Sequence, residues 1–365
     1  MQTQFYRCLI SISPIPIIDV RSPSEYQKGH IPKAINIPLF TDQERHQVGL
    51  CYKQQGQEKA ILLGLELIGP RMKELAAKGL EVAQKNQITV YCQRGGMRSN
   101  SVAWLWRQMG LSVMVLEGGY KRYRQQVFDV FQHPFKLILL SGSTGVGKTE
   151  ILQYISKNGE QIIDLEGLAH HKGSAFGWIG EKAQPSIPQF ENELAVQLRQ
   201  MNPEQVIWLE AESRMIGKCL IPLEFWYQME KASRVYLHRD TDARVQRLCQ
   251  DYQSATKQDL TFALHKIKKR LGPQRYQQAL EALGTDARGE IVRLVLHYYD
   301  SQYELSRQNH KDYFLGEVDC SLKSLSEISD LLKKYQAISS DNPNSFQQTE
   351  AGTGLKCPST SRQSQ

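Results

Sequence analysis

Cys92 has sequence surroundings that favour a nucleophile. An apolar strand pattern at residues 88–91 leads into the loop 92–98 (CQRGGMR), and an amphipathic helix pattern follows. Backbone N–H groups converge in such a loop and the helix end adds positive charge, so a cysteine there ionises readily and an anion can bind beside it. We predict that Cys92 is catalytic, that Arg98 binds an oxyanion and that Arg94 adds charge at the rim. A buried inert cysteine is the alternative, which the Cys-x5-Arg spacing with two glycines disfavours.

A second site is indicated by glycines that follow the apolar strand pattern at residues 137–140. Residues 142–149 (GSTGVGKT) match GxxxxGK[ST] in full, and a helical pattern at 150–157 comes next. Lys148 supplies a point charge to bound phosphates, and Thr149 offers a hydroxyl to a metal ion. The motif predicts a phosphate chain without specifying a nucleotide. The predicted phosphate-binding residues are Gly142, Ser143, Thr144, Gly145, Val146, Gly147, Lys148 and Thr149.

Three carboxylates at predicted strand ends are candidate metal ligands. Asp164 follows the strand pattern at 161–163, and Glu210 and Glu212 follow the one at 206–209. Each could equally be an ordinary turn carboxylate, and the sequence leaves both interpretations open. Together with Thr149 they form the candidate set for Mg²⁺. We expect no tightly bound organic cofactor.

Strand and helix patterns alternate in both halves of the chain. In the first half, strand patterns at 15–20, 87–91 and 112–116 alternate with helical ones at 69–85 and 99–109, which predicts a small parallel sheet. After His133-Pro134 the alternation starts again, with strands expected at 135–140, 161–163, 206–209 and 235–237. The predicted fold class is therefore α/β, with two parallel-sheet domains in succession.

The remainder of the chain differs from these two domains. A helical pattern extends from about residue 242 to 335, and Ser, Gln, Asn, Thr and Pro then dominate. Because the last segment has too few apolar residues to bury, we expect it to be disordered. The predicted parts are an α/β domain at 10–132, a P-loop α/β domain at 133–240, a helical, basic part at 241–335 and a tail at 336–365.

Positive charge is concentrated in one segment. The 365-residue chain has a net charge of +7, and residues 231–275, with 11 Lys/Arg and 4 Asp/Glu, hold all of this excess. A local excess is expected where a protein meets a polyanion, although a solvated helix face is the alternative.

Composition and cysteine usage limit the class of protein. With 41% hydrophobic and 23% charged residues, the chain fits an ordinary globular protein and neither a membrane protein nor a disordered one. The seven cysteines lie at least 30 residues apart, which predicts neither a disulfide framework nor a CxxC metal site. The start of the sequence lacks a signal-peptide pattern and no run of 18 apolar residues occurs, so we expect a cytoplasmic protein without membrane contact.

Two further motifs flank the Cys92 loop. Residues 19–26 (DVRSPSEY) are followed by 29–38 (GHIPKAINIP), and 117–120 (EGGY) comes after the loop. In these motifs the segment from about 15 to 125 resembles the rhodanese family. The resemblance implies a rhodanese-like fold and a persulfide- or perselenide-forming cysteine, which Cys92 matches.

The loop departs from that family in its spacing. Small sulfurtransferases usually have four residues between the cysteine and the arginine, whereas five separate Cys92 from Arg98. Five is the spacing seen in related dual-specificity phosphatases. The wider loop suits a tetrahedral oxyanion, and therefore a phosphate-bearing donor.

Polar and glycine-rich stretches follow the P-loop at 164–177, 184–186, 190–192 and 212–217. With a rhodanese-like domain ahead of the P-loop, residues 10–335 closely resemble the bacterial tRNA 2-selenouridine synthase family. The resemblance implies a transferase that converts wobble 2-thiouridine of tRNA to 2-selenouridine, using selenophosphate, through an S-geranyl intermediate made from geranyl diphosphate.

The same resemblance implies two partners for the protein. One is the anticodon arm of tRNA, which we expect the basic segment to contact, and the other is an enzyme that supplies selenophosphate. Tyr298 and Tyr299 are available for base stacking, with packing in the core as the alternative for these rings. The tRNA phosphate contacts are expected from Lys266, Lys268, Lys269 and Arg270.

Several questions stay open on the sequence alone. In the leading interpretation Lys148 and a metal assist departure of the diphosphate, and selenium arrives either directly from selenophosphate or through a Cys92 perselenide. The main alternative is a rhodanese sulfurtransferase fused to an ATP-dependent small-molecule kinase. A third class, a nucleotide-gated adaptor without activity, is disfavoured by the intact Cys92 loop.

Overall fold

Two parallel sheets organise residues 15–341, the part of the chain that the computed structural model describes. The first sheet confirms the strands expected in the first half, and its order is β2-β1-β3-β4. Its strands are β1 (Ile17–Asp19), β2 (Ile35–Asn36), β3 (Gln87–Tyr91) and β4 (Ser112–Val115). Around it lie α1 (Pro23–Gln27), α2 (Asp42–Gln55), α3 (Gln57–Ile68), α4 (Met72–Val82), α5 (Met97–Gln108) and α6 (Gly119–Gln132).

The central strands of this sheet are buried because helices cover them. Ile18 and Val90 have no exposed surface, as expected for parallel strands with near-continuous apolar runs. Trp106 of α5 fills the space beside α4, where a Cβ on Gly79 would lie 2.2 Å from its Nε1. The Trp106 Nε1–H donates to the Leu75 carbonyl at 2.9 Å, so the buried indole is satisfied.

The second sheet contains the P-loop strand at its centre. Its strand order is β11-β10-β5-β7-β6, and all of its pairings are parallel. The strands are β5 (Leu137–Gly142), β6 (Gln161–Ile163), β7 (Ile207–Glu210), β10 (Ser233–His238) and β11 (Phe314–Asp319), and the short strands β8 (Met215–Ile216) and β9 (Cys219–Leu220) pair separately. The helices are α7 (Lys148–Lys157), α8 (Leu165–Ala169), α9 (Ile187–Gln200) and α10 (Leu223–Glu230).

The basic part is helical as predicted, except at its end. Helices α11 (Thr241–Asp251), α12 (Lys257–Leu271), α13 (Pro273–Gly284) and α14 (Arg288–Asn309) precede β11. The expectation of helix throughout 242–335 is wrong at Phe314–Asp319, which pairs with β10. This is an edge strand with Val318 as its one buried residue, so its sequence lacks the apolar run of a central strand. Helix α15 (Leu325–Asp341) includes the first residues of the predicted tail, whose remainder lies outside the described residues.

Helix α6 joins the two sheets. Its segment has no strand signal in the sequence, and it packs on α9 of the second domain. Tyr123, Val127, Phe190 and Leu194 are buried in one cluster that contains residues of both domains. Because this cluster is continuous, the two sheets are held in one packed body rather than joined by a linker.

Two expectations from the sequence, on membrane-spanning helices and on disulfides, can be compared with the described residues. Within 15–341, no helix combines the length and apolar character needed to cross a membrane. The cysteines there are free thiols, in agreement with the absence of a disulfide pattern in the sequence; they are Cys51, Cys92, Cys219, Cys249 and Cys320. Cys8 and Cys357 lie outside the described residues.

Candidate active sites

The first candidate site is the loop between β3 and α5. Cys92 directly follows β3, at the base of this loop, and is 3% exposed. Gly95 has a φ of +64°, and a Cβ there would lie 2.6 Å from the Leu116 carbonyl oxygen. The closing motif fixes the loop from outside, since the Tyr120 N–H donates to the Cys92 carbonyl at 2.9 Å. Glycine is therefore required for the tight curve that surrounds the thiol.

Polar groups favour the thiolate form of Cys92. Its Sγ lies 3.3 Å from the Ser99 Oγ, and the backbone N–H groups of Arg94 and Ser99 point at the sulfur. Burial raises the pKa of the Cys92 thiol, but these hydrogen bonds and the nearby Arg98 outweigh it, and the net pKa is lowered. Sequence reasoning missed Ser99, although it directly follows the arginine of the motif.

Arg98 has a protein partner that the sequence interpretation did not foresee. Its Nη1 and Nη2 donate to Glu25 at 2.6 and 3.2 Å, in the forked geometry that we expected for an oxyanion ligand. The pKa of Glu25 is lowered, because the effect of Arg98 outweighs the burial that raises it. Glu25 thus keeps Arg98 in a defined orientation at the Cys92 loop, while Arg94 is exposed at the rim as predicted.

Arg21 supports the loop from below. It is 2% exposed and pairs with the fully buried Asp19 at 2.6 Å, which agrees with a role in the fold. Its guanidinium also stacks on the ring of Tyr120 at 3.9 Å and donates to the Gly29 carbonyl at 2.7 Å. One buried cation therefore connects β1 to the closing motif of the Cys92 loop.

The second candidate site lies between β5 and α7, as the P-loop motif predicts. The Lys148 Nζ donates to the Gly142 carbonyl at 3.3 Å. Burial lowers the pKa of Lys148, but Tyr303 and three nearby glutamates raise it by more. The net pKa is therefore raised, and the amine stays charged. Val146, in the predicted phosphate-binding set, has a buried side chain and donates its N–H to Ser143 at 3.2 Å. That N–H is therefore turned toward the loop itself.

The predicted metal ligands occupy three different environments. Asp164 and Glu212 line the P-loop cavity together with Thr149. However, Asp164 also caps α8 through the Gly167 N–H at 2.7 Å. Glu210 is fully buried, does not line the cavity and accepts from the Leu165 N–H at 3.2 Å. Burial, aided by nearby carboxylates, holds its pKa well above the usual range.

Glu166 is a site residue that sequence reasoning missed. Its Oε2 accepts from the Thr149 Oγ1 at 3.3 Å, and the residue lines the same cavity. Burial and repulsion from Glu212 raise the pKa of Glu166 to about 8. The signal available in the sequence was its place two residues beyond Asp164, after a strand end. Within residues 15–341, no cluster of three His, Cys, Asp or Glu side chains is arranged to hold a metal ion.

Replacing Glu166 with glutamine should stabilise the protein at alkaline pH. The pKa of Glu166 in the folded protein is about 8, above the usual carboxyl value of 4.5. Between these two pH values the folded state holds a proton that the unfolded state has lost, so the free energy of unfolding falls as pH rises from 4.5 to about 8. We expect Glu166→Gln to raise the Tm at pH 8.5, in a metal chelator, by about 2–4 °C, and to have little effect at pH 4. Thermal unfolding measures this. Glu81→Gln on exposed α4 surface is the control, and equal Tm values for wild type and Glu166→Gln at both pH values would refute the repulsion.

The P-loop cavity extends toward the basic helices. It has a volume of about 420 Å³, in the range of small-molecule sites. Arg247 of α11 lines it and pairs with Glu150 at 2.5 Å, which adds a cation that the sequence analysis had not singled out. A second, narrower recess of about 40 Å³ shares Thr144 and Ser174 with the cavity and continues between α11 and α14.

The predicted tRNA-binding residues lie together near the end of α12, and all four are exposed. Two of them are engaged with rings: the Lys266 Nζ lies 4.6 Å from the centroid of Phe262, and the Lys268 Nζ lies 5.1 Å from that of Tyr276. Base stacking by Tyr298 and Tyr299 is not supported, because both rings pack against the helical core. The hydroxyl of Tyr299 also accepts from the Ala175 N–H at 2.9 Å.

The two sites are connected through the domain junction. Asn192 of α9 donates to the His30 carbonyl at 2.8 Å and to the Tyr120 hydroxyl at 3.0 Å. Arg124 of α6 pairs with Glu191 of α9. The closing motif of the Cys92 loop therefore contacts a helix of the P-loop domain directly.

The fold and the two sites define a two-domain protein in which a rhodanese-like domain precedes a P-loop domain. The rhodanese-like domain family matches residues 3–126, and the family described as tRNA 2-selenouridine synthase AAA domain matches residues 135–334. The chain belongs to the tRNA 2-selenouridine synthase family.

Curated relatives agree with this assignment over nearly their whole length. The tRNA 2-selenouridine synthase of Pseudomonas aeruginosa (strain LESB58) is 37% identical, over 85% of this chain and 92% of that protein. The proteins of the same name from Verminephrobacter eiseniae and Pseudomonas fluorescens are each 36% identical, and the matches cover 94% and 97% of their lengths. The resemblance inferred from the motifs is thereby confirmed.

Proposed function

We propose that this protein converts wobble 2-thiouridine of tRNA to 2-selenouridine in two steps, geranylation at the P-loop site and selenation at the Cys92 loop. The observation that supports the proposal is that one chain of this family contains both candidate sites, with a lowered pKa of Cys92 beside the Ser99 hydroxyl and a charged, buried Lys148 at the P-loop. Geranyl diphosphate and selenophosphate are the proposed co-substrates.

In the first step the thiouridine sulfur attacks C1 of geranyl diphosphate. The C–O bond breaks, the diphosphate leaves with the electron pair, and the uracil loses its N3 proton. Lys148 and Arg247 neutralise the leaving group. Thr149 and Glu166 would hold Mg²⁺ together with phosphate oxygens, and the crowding of Glu166 and Glu212 fits a cation between them. When bound, Mg²⁺ would further stabilise the diphosphate.

The recess next to the cavity supports a prenyl diphosphate over a nucleotide. Its wall is mostly apolar, and the apolar side chains that α11 and α14 contribute to it include Leu248, Ile291, Val292, Val295 and Leu296. The polar groups at its mouth are already paired. The Tyr252 hydroxyl lies 3.4 Å from the Ser174 Oγ, and Arg288 donates to the Tyr252 and Gln253 carbonyls. A nucleobase would leave its own polar edge unpaired here, whereas a hydrocarbon tail would not.

Filling this recess should weaken the binding of geranyl diphosphate and leave the binding of inorganic diphosphate unchanged. If the recess buries about three CH₂ groups of the tail, their loss costs roughly 2 kcal/mol, or about 30-fold in Kd. We expect Val292→Trp to show this loss by calorimetric titration. Glu290→Trp, on the exposed side of α14, controls for bulk on the helix. Unchanged affinity of Val292→Trp for geranyl diphosphate would refute the assignment of the recess.

The basic end of α12 is proposed to bind tRNA phosphates. Basic side chains near a helix C-terminus also interact favourably with the helix dipole, so charge alone does not distinguish the two roles. Salt dependence does, because a phosphate contact releases counterions and a solvated helix face does not. The exposed ring of Phe262 beside Lys266 supports RNA contact, since such rings stack on unpaired bases.

Replacing Lys266, Lys268, Lys269 and Arg270 with alanine should make the log–log salt slope of tRNA binding shallower. Each lost contact is worth about 0.7 in that slope, so four contacts predict a change of roughly 3. Binding isotherms at several salt concentrations measure it. The control removes four exposed lysines of the first domain, Lys53, Lys59, Lys73 and Lys85. An equal change in both variants would place the tRNA surface elsewhere.

The proposed function is tested with the purified full chain and a thiouridine-containing anticodon stem-loop RNA. We expect geranyl diphosphate alone to yield S-geranyl-2-thiouridine, and later addition of selenophosphate to yield 2-selenouridine, without ATP. Nucleoside mass spectrometry identifies both products. ATP turnover with a small-molecule acceptor, and no modified nucleoside, would favour the alternative of a sulfurtransferase–kinase fusion.

A further inference from the structure

The surroundings of Cys92 raise the question of which atom of selenophosphate its thiolate attacks. The sulfur accepts hydrogen bonds from loop amides and lies 3.3 Å from the Ser99 Oγ, whose one proton can be donated to the Gly96 carbonyl at 3.1 Å or to the sulfur. Arg98, oriented by Glu25, stands at the same loop. The loop amides suit a thiolate at the base of a tetrahedral oxyanion, whose oxygens need N–H donors, and the Arg98–Glu25 pair lies beside them.

Electron balance separates the two possible targets. Selenium in selenophosphate already has the oxidation state of selenide, and phosphorus has the oxidation state that it has in phosphate. Attack by a thiolate on selenium, with departure of phosphorus, would give a perselenide and phosphite, so a perselenide together with phosphate needs an added oxidant. Attack on phosphorus needs none, because the P–Se electron pair leaves with selenium.

We propose that Cys92 accepts the phosphoryl group and forms a transient phosphocysteine, a proposal that rests on the function given above. The Sγ–P bond forms as the P–Se bond breaks, and the P–Se electron pair goes to selenium. Selenium leaves either as hydrogen selenide, after it takes a proton from water, and then displaces geranyl thiol from C2, or as 2-selenouridine if it had already displaced geranyl thiol from C2. Water then attacks phosphorus, the P–S bond breaks, phosphate leaves and the thiolate returns.

Ser99 has a defined part in the second half of this cycle. Its single hydroxyl proton can turn from the Gly96 carbonyl to the sulfur, and in that orientation it stabilises the thiolate that leaves when water attacks phosphorus. Without this hydroxyl the phosphocysteine should form but break down slowly. Ser99 is fully buried, so alanine is the substitution that fits the space.

The test uses the full chain, selenophosphate with radioactive phosphorus and a stem-loop RNA that carries S-geranyl-2-thiouridine. The reaction is quenched within seconds, and the Cys92 peptide is analysed. We expect Ser99→Ala to accumulate about tenfold more label than wild type, the factor expected for one lost hydrogen bond to a charged atom. The adduct should have the mass of one phosphoryl group and no selenium isotope pattern. Cys92→Ser should carry no label, and Cys51→Ser should behave as wild type.

Each outcome decides the proposal. Label that forms without RNA, with release of selenide, supports attack on free selenophosphate, and label that requires RNA supports attack after selenium has bonded to the uracil. A selenium isotope pattern on Cys92 overturns the proposal in favour of a perselenide. Normal selenation by Ser99→Ala without any label also overturns it. Failure of wild type to form 2-selenouridine from the geranylated RNA overturns the proposed function itself.

Discussion

Cys92→Ser should abolish selenium incorporation while geranylation of tRNA continues. The thiolate lies at the Cys92 loop, and the P-loop that we propose binds the diphosphate has its own cation in Lys148. A serine hydroxyl is not ionised at neutral pH and is a far weaker nucleophile, so we expect a loss of at least about 100-fold in selenation. Nucleoside mass spectrometry of the reacted RNA should reveal S-geranyl-2-thiouridine accumulating.

The fold should tolerate this change, because sulfur and oxygen differ little in size. Circular dichroism and tRNA binding should match wild type, which separates a chemical defect from a folding defect. Cys51→Ser, a buried cysteine on α2, is the matched control and should retain both activities. Wild-type amounts of 2-selenouridine from Cys92→Ser would remove Cys92 from the mechanism.

Lys148→Ala should stop geranylation and, for want of the intermediate, selenation as well. Lys148 is buried and charged beside the P-loop, so its removal leaves the departing diphosphate without its nearest cation. We expect a loss of about 100- to 1000-fold, as for other groups that stabilise developing charge. Thr149→Ala should act in the same direction, because the Thr149 hydroxyl faces Glu166 where a metal would bind.

An added intermediate distinguishes the two steps in this variant. RNA that already carries S-geranyl-2-thiouridine should be selenated by Lys148→Ala at the wild-type rate. Lys136→Ala, at a partly exposed position before β5 where the lysine pairs with Glu204, is a control for charge in the same domain. Normal geranylation by Lys148→Ala would mean that the P-loop binds another phosphate compound, with ATP the first candidate.

Local patterns in the sequence were sufficient for most of the fold. Parallel strands buried on both faces leave continuous apolar runs, so β3 and β5 were recognisable from their residues alone. The β11 strand was not, because a half-exposed edge strand carries mixed residues and its pairing with β10 depends on a distant segment. Such pairing is a property of tertiary structure and leaves little trace in a short window.

In the two sites as well, some residues could be predicted from the local sequence and others only from the tertiary structure. Cys92 and Lys148 sit in contiguous motifs, so their positions followed from the spacing. Glu25 and Glu166 reach the two sites only after folding, through pairs with Arg98 and Thr149 that no sequence window contains. Arg98 was expected to hold an oxyanion directly, and its pairing with Glu25 could be found only from the packed structure.

If both sites of this chain act in succession on the same uridine, the nucleosides that accumulate in cells should differ between variants of the two sites. Nucleoside mass spectrometry of tRNA measures this in cells that lack the protein and are supplied with wild type, Cys92→Ser or Lys148→Ala. We expect 2-selenouridine with wild type, S-geranyl-2-thiouridine with Cys92→Ser and unmodified 2-thiouridine with Lys148→Ala. The same nucleoside in both variants, or no 2-selenouridine with wild type, would refute successive action of the two sites.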